Sequence, residues 1–183
     1  TAPTDLTYDG SNKTASVALK SPLTKSGTIT PTYMKGSSVV TETKDVGTYT
    51  VKIDVAGGDN FNAVSNLTAS AWTFSITPAD QSAPTGLGVA APTASSGKGK
   101  ITGTTTAMEY STDSGFTSPT DCSATETEVA PDTYYVRLKA DANHNAGAAA
   151  TVTVPAYSAT KYTVSVTSDA NGTAIADKTA DVA

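Results

Sequence analysis

An all-β chain, folded as two sandwich domains in tandem with a short C-terminal hairpin segment, is the fold this sequence predicts. Three observations carry the prediction. Tyr49, Val51, Ile53 and Val55 alternate with Thr48, Thr50, Lys52 and Asp54, the period-two pattern of a strand with one buried and one wet face. A second such strand, with Tyr134, Val136, Leu138 and Ala140 inward, ends like the first in an Asn-rich turn, Asn143-His144-Asn145 against Asn60-Phe61-Asn62. No segment keeps a 3.6-residue period, so helices are expected to be scarce. A motif spoken twice in 183 residues implies two domains of roughly 80 residues each, small but large enough to close a core.

The elements follow in order. Leu6–Tyr8 opens the first domain, and Asp9-Gly10-Ser11-Asn12 turns the chain. Ala15, Val17 and Leu19 alternate as the next strand, which Ser21-Pro22 breaks. Thr28–Met34 is a strand whose Pro31 places it at an edge or a bulge. Lys35-Gly36-Ser37-Ser38 turns into Val39–Thr41, and the Tyr49 strand follows, closed by Gly57-Gly58-Asp59-Asn60 and a loop to Ser65. Trp72, Phe74 and Ile76 make the last alternating run before Pro78. The polar, proline-bounded residues 80–84 are expected to be a linker between domains at 1–79 and 85–156.

In the second domain, strands are expected at Leu87–Ala90, Lys100–Thr104, Met108–Tyr110, Glu126–Val129, the Tyr134 run and Ala148–Val154, with Thr117–Thr120 as a polar loop. Short strands at this regular spacing suit an immunoglobulin-like sandwich. Residues 157–183 read as part of a third repeat: Tyr162, Val164 and Val166 alternate, and Asn171-Gly172 signals a hairpin.

Composition limits what the chain does. Charged residues make up 16% against the roughly 25% usual in soluble domains, so polarity comes mainly from Thr, Ser and Asn. A net charge of −5 argues against phosphate-backbone contacts and hence against nucleic acid. No apolar run is long enough to insert into a membrane. Thr1-Ala2-Pro3-Thr4-Asp5 has neither the basic start nor the apolar centre of a signal peptide, so the chain is expected to be an excerpt of a longer secreted protein. Cys122 is the single cysteine, which rules out an internal disulfide and favours a bacterial surface over an animal ectodomain.

His144, the single histidine, is needed by any Ser-His-Asp or Cys-His arrangement, but its loop position favours a turn-packing role. Cys122 has no basic neighbour in sequence to activate it and is expected to be a small core residue. Asp54, Asp59 and Asp141 lack the spacing of a calcium loop and are expected to bond their own turns. No two acids are placed as a glycosidase pair. Trp72 suits stacking against a sugar ring, but sharing its register with Phe74 and Ile76 makes it a core residue on this reading. Tyr33, Phe61, Phe116 and Tyr135 are the remaining candidates for an exposed aromatic platform. Tyr49 and Tyr134 fit corner tyrosines whose hydroxyls bond nearby backbone. No catalytic, cofactor-binding or metal-ligating residue is expected, and no cofactor. A Lys–Asn isopeptide bond has no recognisable motif, and the glycosylation patterns at Asn12 and Asn66 matter only in a eukaryotic host.

Residues Tyr8-Asp9-Gly10-Ser11-Asn12-Lys13, Val46-Gly47-Thr48-Tyr49-Thr50-Val51, Asn60-Phe61 and Phe74-Ser75-Ile76-Thr77-Pro78-Ala79 together resemble the MBG domain of bacterial surface proteins. The resemblance covers 4–79 and implies an immunoglobulin-like sandwich, repeated along adhesins and wall-attached stalks, without catalytic residues. The Tyr134 strand with Val136-Arg137-Leu138-Lys139-Ala140 and the following Asn-His-Asn loop is similar to the sixth strand and exit loop of fibronectin type III modules. With Met108-Glu109-Tyr110-Ser111 it also resembles a module of Gram-positive surface proteins, over 84–156. The function expected is a non-catalytic spacer or stalk segment, monomeric, attached to the outside of a bacterial cell and contacting the neighbouring domains of its own polypeptide. The alternative is an accessory module that binds a carbohydrate or a host protein for an adhesin or a secreted hydrolase.

Overall fold

The computed structural model describes residues 1–20, 27–59 and 61–160. The break at Ser21-Pro22, the side chain of Asn60 and the hairpin expected around Asn171-Gly172 lie outside the described residues. Within them the chain is all-β, with twelve strands in antiparallel sheets. It divides into two compact units, Thr1–Gln81 with Ala140–Ala146, and Ser82–Lys139 with the described residues from Gly147 onward.

The first unit is built on β3 (Gly47–Val55), which buries Tyr49, Val51 and Ile53 and turns the residues between them outward. β1 (Ile29–Lys35) pairs along all of it, from Ile29 opposite Val55 to Lys35 opposite Tyr49, and β2 (Ser38–Val40) pairs with the end of β1. Pro31 is tolerated because β2 reaches only Tyr33–Lys35, so nothing on that side of β1 asks residue 31 for an N–H. On its other side β3 meets two short strands in succession: β5 (Thr73–Ile76) opposite Gly47–Thr50, and β4 (Val64–Leu67) opposite Ile53–Val55. A turn closed by Trp72 N–H to the Ala69 carbonyl separates them.

Two sequence expectations fail here. The Ala15-Val17-Leu19 run forms no strand ladder among the described residues, although its alternation survives as half-buried and exposed side chains. Ala15 and Val17 cover the sheet, with Leu6 and Tyr8, against Tyr49, Val51, Ile53, Phe74 and Ile76. Its backbone bonds are scattered instead: Lys13 N–H to Thr43, Ser16 N–H to Thr1, Ala15 N–H to the Tyr33 hydroxyl. The loop expected up to Ser65 gives way to β4 at Val64. All four residues of β4 are exposed and Asn66 takes a left-handed φ of 56°, so no alternation announces it.

The second unit stacks a three-stranded sheet on a four-stranded one. β10 (Thr125–Val129), β7 (Gly99–Thr104) and β6 (Gly88–Ala90) form the first, in that order. The second runs β12 (Ala150–Val154), β11 (Asp132–Leu138), β8 (Met108–Ser111), β9 (Thr120–Asp121). Ile101 and Val129 from one sheet meet Met108, Tyr134, Val136 and Val154 from the other, with Cys122 in the same cluster. The buried hydroxyls of Thr104 and Thr127 bond each other at 2.9 Å, which lets polar side chains sit at the core margin without an unmet partner. β9, taken from the sequence as loop, is two exposed residues and leaves no pattern to read.

Gly99 marks where the two sheets press closest. A Cβ there would stand 2.4 Å from Val154 Cγ1 and 2.6 Å from the Ala90 carbonyl oxygen, and the carbonyl cannot swing aside as a side-chain tip can. Gly99→Ala is therefore expected to lower the unfolding free energy by about 1–3 kcal/mol. Urea denaturation of the full chain measures it, and an unchanged midpoint would show that the sheets do not close on this glycine.

Candidate functional site

Most residues singled out for chemistry have a structural occupation. The Asp141 carboxylate accepts the backbone N–H groups of Asn143 (2.7 Å) and His144 (2.8 Å) and lies 3.0 Å from His144 Nδ1. These bonds, the one from Asn143 foremost, hold its pKa below the ordinary carboxylate value. The imidazole packs edge-on against Tyr8 with ring centroids 5.0 Å apart. His144 is a turn residue with an aromatic neighbour, as its loop position suggested. Cys122 is 4% exposed in the core of the second unit, and burial, ahead of all other causes, raises its thiol pKa. A protonated, enclosed thiol is a poor nucleophile.

Asp54 accepts the Asn66 N–H at 2.6 Å, which pins β4 to β3, while Asp59 stands exposed in the following turn. Among the described residues, no three of His, Cys, Asp and Glu come together to hold a metal ion.

The corner tyrosines are present in both units with the same spacing. Tyr49 Oη donates to the Asp45 carbonyl at 2.7 Å, and Tyr134 Oη donates to the Ala130 carbonyl at 2.9 Å, each four residues back. Both fasten the approach to a long strand onto the strand itself.

The Asp-Gly-Ser-Asn-Lys motif is a fastener too. Asp9 accepts the Ser11 N–H at 2.8 Å around a left-handed Gly10, φ 76°, and Lys13 Nζ returns to Asp9 at 2.7 Å. Asn12 then accepts the Thr43 N–H, and Thr43 Oγ1 donates to the Lys13 carbonyl at 2.6 Å. Thus the segment before Ala15 is tied to the chain entering β3.

The aromatic candidates part company with expectation. Trp72, expected in the core with Phe74 and Ile76, is 38% exposed. The Trp72 carbonyl still accepts the Val51 N–H at 2.8 Å, but the turn from Ala69 leaves the indole at the end of the row, at the rim of a cleft over Val51, Ile53 and Phe74 rather than enclosed among them. Phe116, expected on the surface, is 7% exposed, with the Arg137 guanidinium 3.9 Å above its ring. Arg137 is held there by Glu109 at 2.6 Å, its cross-strand partner. The sequence offered part of that signal: Glu109 and Arg137 carry opposite charges, each on an expected strand, but their pairing was not legible. Tyr33 accepts a hydrogen bond from Ala15 N–H and lies edge-on to Phe74, and it and Phe61 and Tyr135 are half-buried. They make no platform.

What remains is a cleft of about 260 Å³ in the first unit. Ala15–Ala18 form one wall, Val51, Ile53 and Phe74 the floor, and Trp72 and Thr73 the other rim. It is apolar apart from hydroxyls and main-chain groups, and carries no titratable side chain among its described lining. An arrangement of this kind can seat a small apolar face against the indole.

These sites and sheets define the class: an all-β, sandwich-like protein whose conspicuous motifs serve its own architecture. Comparison with known proteins finds no matching family model, no matching curated protein and no matching solved structure. Among the described residues no helix is long and apolar enough to cross a membrane.

Alkaline solution should expose one consequence of burial. Tyr134 and Cys122 both have pKa values raised above their ordinary 10.0 and 9.0, burial being the first cause in each. Each group is neutral when protonated, so the folded state holds its proton longer than the unfolded chain does. Their contribution is complete below pH 9 and drains away as the unfolded chain ionises above it. The expected result is a melting temperature that falls between pH 9 and 11, with a smaller fall in the Cys122→Ala, Tyr134→Phe double variant. Equal alkaline slopes would refute the assignment.

Proposed function

We propose that this chain is a non-catalytic spacer segment of a bacterial cell-surface or secreted protein, made of two immunoglobulin-like sandwiches. The observation that carries the reading is the structural use of every motif that stood out: Asp9 with Lys13, Tyr49, Tyr134, and Asp141 with His144 all bind their own unit. A segment whose distinctive residues fasten strands serves by holding its shape. The three-on-four strand arrangement of the second unit, with a corner tyrosine on β11, supports the fibronectin type III-like part. For the first unit, the MBG-like reading rests on the sequence resemblance; Asp9, Lys13 and Tyr49 of that motif all bond within the unit.

The test is replacement. In the intact parent protein displayed on its cell, an unrelated pair of β-sandwiches of matching length should preserve whatever activity the rest of the protein has. Loss of that activity despite normal display would rule the spacer out.

The exposure of Trp72 beside an apolar cleft favours one second reading, an accessory module that stacks a sugar ring on the indole. Trp72 is the single tryptophan, so its fluorescence reports the cleft alone. Titration with a panel of bacterial, plant and host oligosaccharides should change that emission if the reading holds. No response from any of them would retire it.

A further inference from the structure

Residues 77–81 close the first unit, and they are bonded on both flanks. On one side Thr77 N–H donates to the Leu6 carbonyl at 2.8 Å and Tyr8 N–H donates to the Thr77 carbonyl at 2.9 Å, a parallel bridge centred on Thr7. On the other, Ala79 N–H donates to the Asn143 carbonyl at 3.0 Å and Asn145 N–H to the Ala79 carbonyl at 2.9 Å, a second parallel bridge, centred on His144. Side chains extend the second flank, Asn145 Nδ2 donating to Asp80 and Gln81 Nε2 donating to the Asn145 carbonyl, both at 2.8 Å.

The direction of these bridges matters. Leu6–Tyr8 enters the unit and residues 77–81 leave it, running parallel. Tension applied before Leu6 and after Gln81 therefore pulls the two segments in opposite senses along their length, across bonds that lie transverse to the load. The bonds to Leu6–Tyr8 must fail together, while those to Asn143–Asn145 anchor residues 77–81 against sliding out of the unit. Where antiparallel neighbours are pulled from adjacent ends, as at Ile29 opposite Val55, the bonds open one at a time.

We propose that residues 77–81, gripped between Leu6–Tyr8 and Asn143–Asn145, are a shear clamp that makes the first unit resist stretching along the direction of the chain. The clamp deepens the spacer reading and takes its purpose from it, since a spacer under tension is loaded along that direction. Its test is separate. The clamp can be found in a segment that proves to bind sugar, and the replacement experiment can fail with the clamp intact.

The experiment pulls the full chain between cysteine anchors at exposed positions, in two geometries. Thr4→Cys with Ser82→Cys loads the clamp in shear, and Thr28→Cys with Ala56→Cys peels β1 from β3. Cys122 is buried and stays in place. Forced unfolding reports the barrier along the pulled direction, so the shear geometry should need at least about twice the force of the peeling geometry at equal loading rate. Equal forces, or a higher force on peeling, would overturn the clamp. Hydrogen exchange on the unmodified chain gives a second reading. The amides of Tyr8, Thr77, Ala79 and Asn145 should be protected like those of β3, and exchange at the rate of the exposed turns would also overturn it.

Discussion

Phe74→Ala should lower the unfolding free energy of the first unit by about 3–5 kcal/mol, the largest loss expected from any single truncation here. Phe74 is only 5% exposed, stacked on Tyr49 at 5.3 Å between ring centroids and met edge-on by Tyr33 at 6.3 Å. Removing it takes away both ring contacts and leaves a void under β3 that the paired strands on either side cannot collapse into. Trp72→Ala, two residues earlier, removes a larger side chain and should cost only about 1–2 kcal/mol, because the indole keeps one side in water. The pair of variants, compared by urea denaturation followed by circular dichroism, tests where the row of inward residues begins. A Trp72 loss equal to the Phe74 loss would put the indole back in the core and remove the rim of the cleft.

Asn143→Ala should cost about 1–3 kcal/mol, far more than an exposed loop residue ordinarily does. Its Oδ1 accepts the Val46 N–H at 2.9 Å and its Nδ2 donates to Asp45 Oδ1 at 3.2 Å. Asp45 is also the residue whose carbonyl receives the Tyr49 hydroxyl. One amide thus holds the turn that the corner tyrosine relies on, and alanine leaves the Val46 N–H without its partner in a partly buried place. Thermal denaturation measures the change. A melting temperature within a degree of the parent chain's would mean that water replaces the amide at no cost.

The strands with one wet face were legible in the sequence, and for one reason. β3 and β11 alternate without interruption, so most of their inward residues and both corner tyrosines followed from period and position; Ala140, expected inward, is exposed beyond the end of β11 at Leu138. The failures share a reason as well. β4 has no inward face to alternate with, and Asn66 breaks its twist. Trp72 keeps the register of Phe74, its carbonyl accepting the Val51 N–H, but register does not tell where the covering segments stop, and the indole stands at the open rim of the cleft. The Ala15–Leu19 run alternates because it lies on a core, which a segment can do with few ladder bonds of its own. Phe116 was misplaced because a left-handed φ of 52° in a polar loop gives no hint that an arginine from β11 will cover the ring. The bonds from Asn143 to Asp45 and Val46 join residues nearly a hundred positions apart, beyond any local pattern. For the cleft, Trp72 was the one legible part; its walls come from segments that only the fold assembles.

The first unit is not a continuous stretch of sequence, since Ala140–Ala146 completes what Thr1–Gln81 begins. A gene fragment or proteolytic piece ending at residue 81 would lack the groups that receive the amides of Val46 and Ala79, and would be an incomplete product however neatly its composition is bounded. Recombination that shuffles modules between proteins would therefore have to carry the stretch through residue 146 to transmit this unit whole. What looks in the sequence like a string of interchangeable beads is, for this pair, interleaved along the chain.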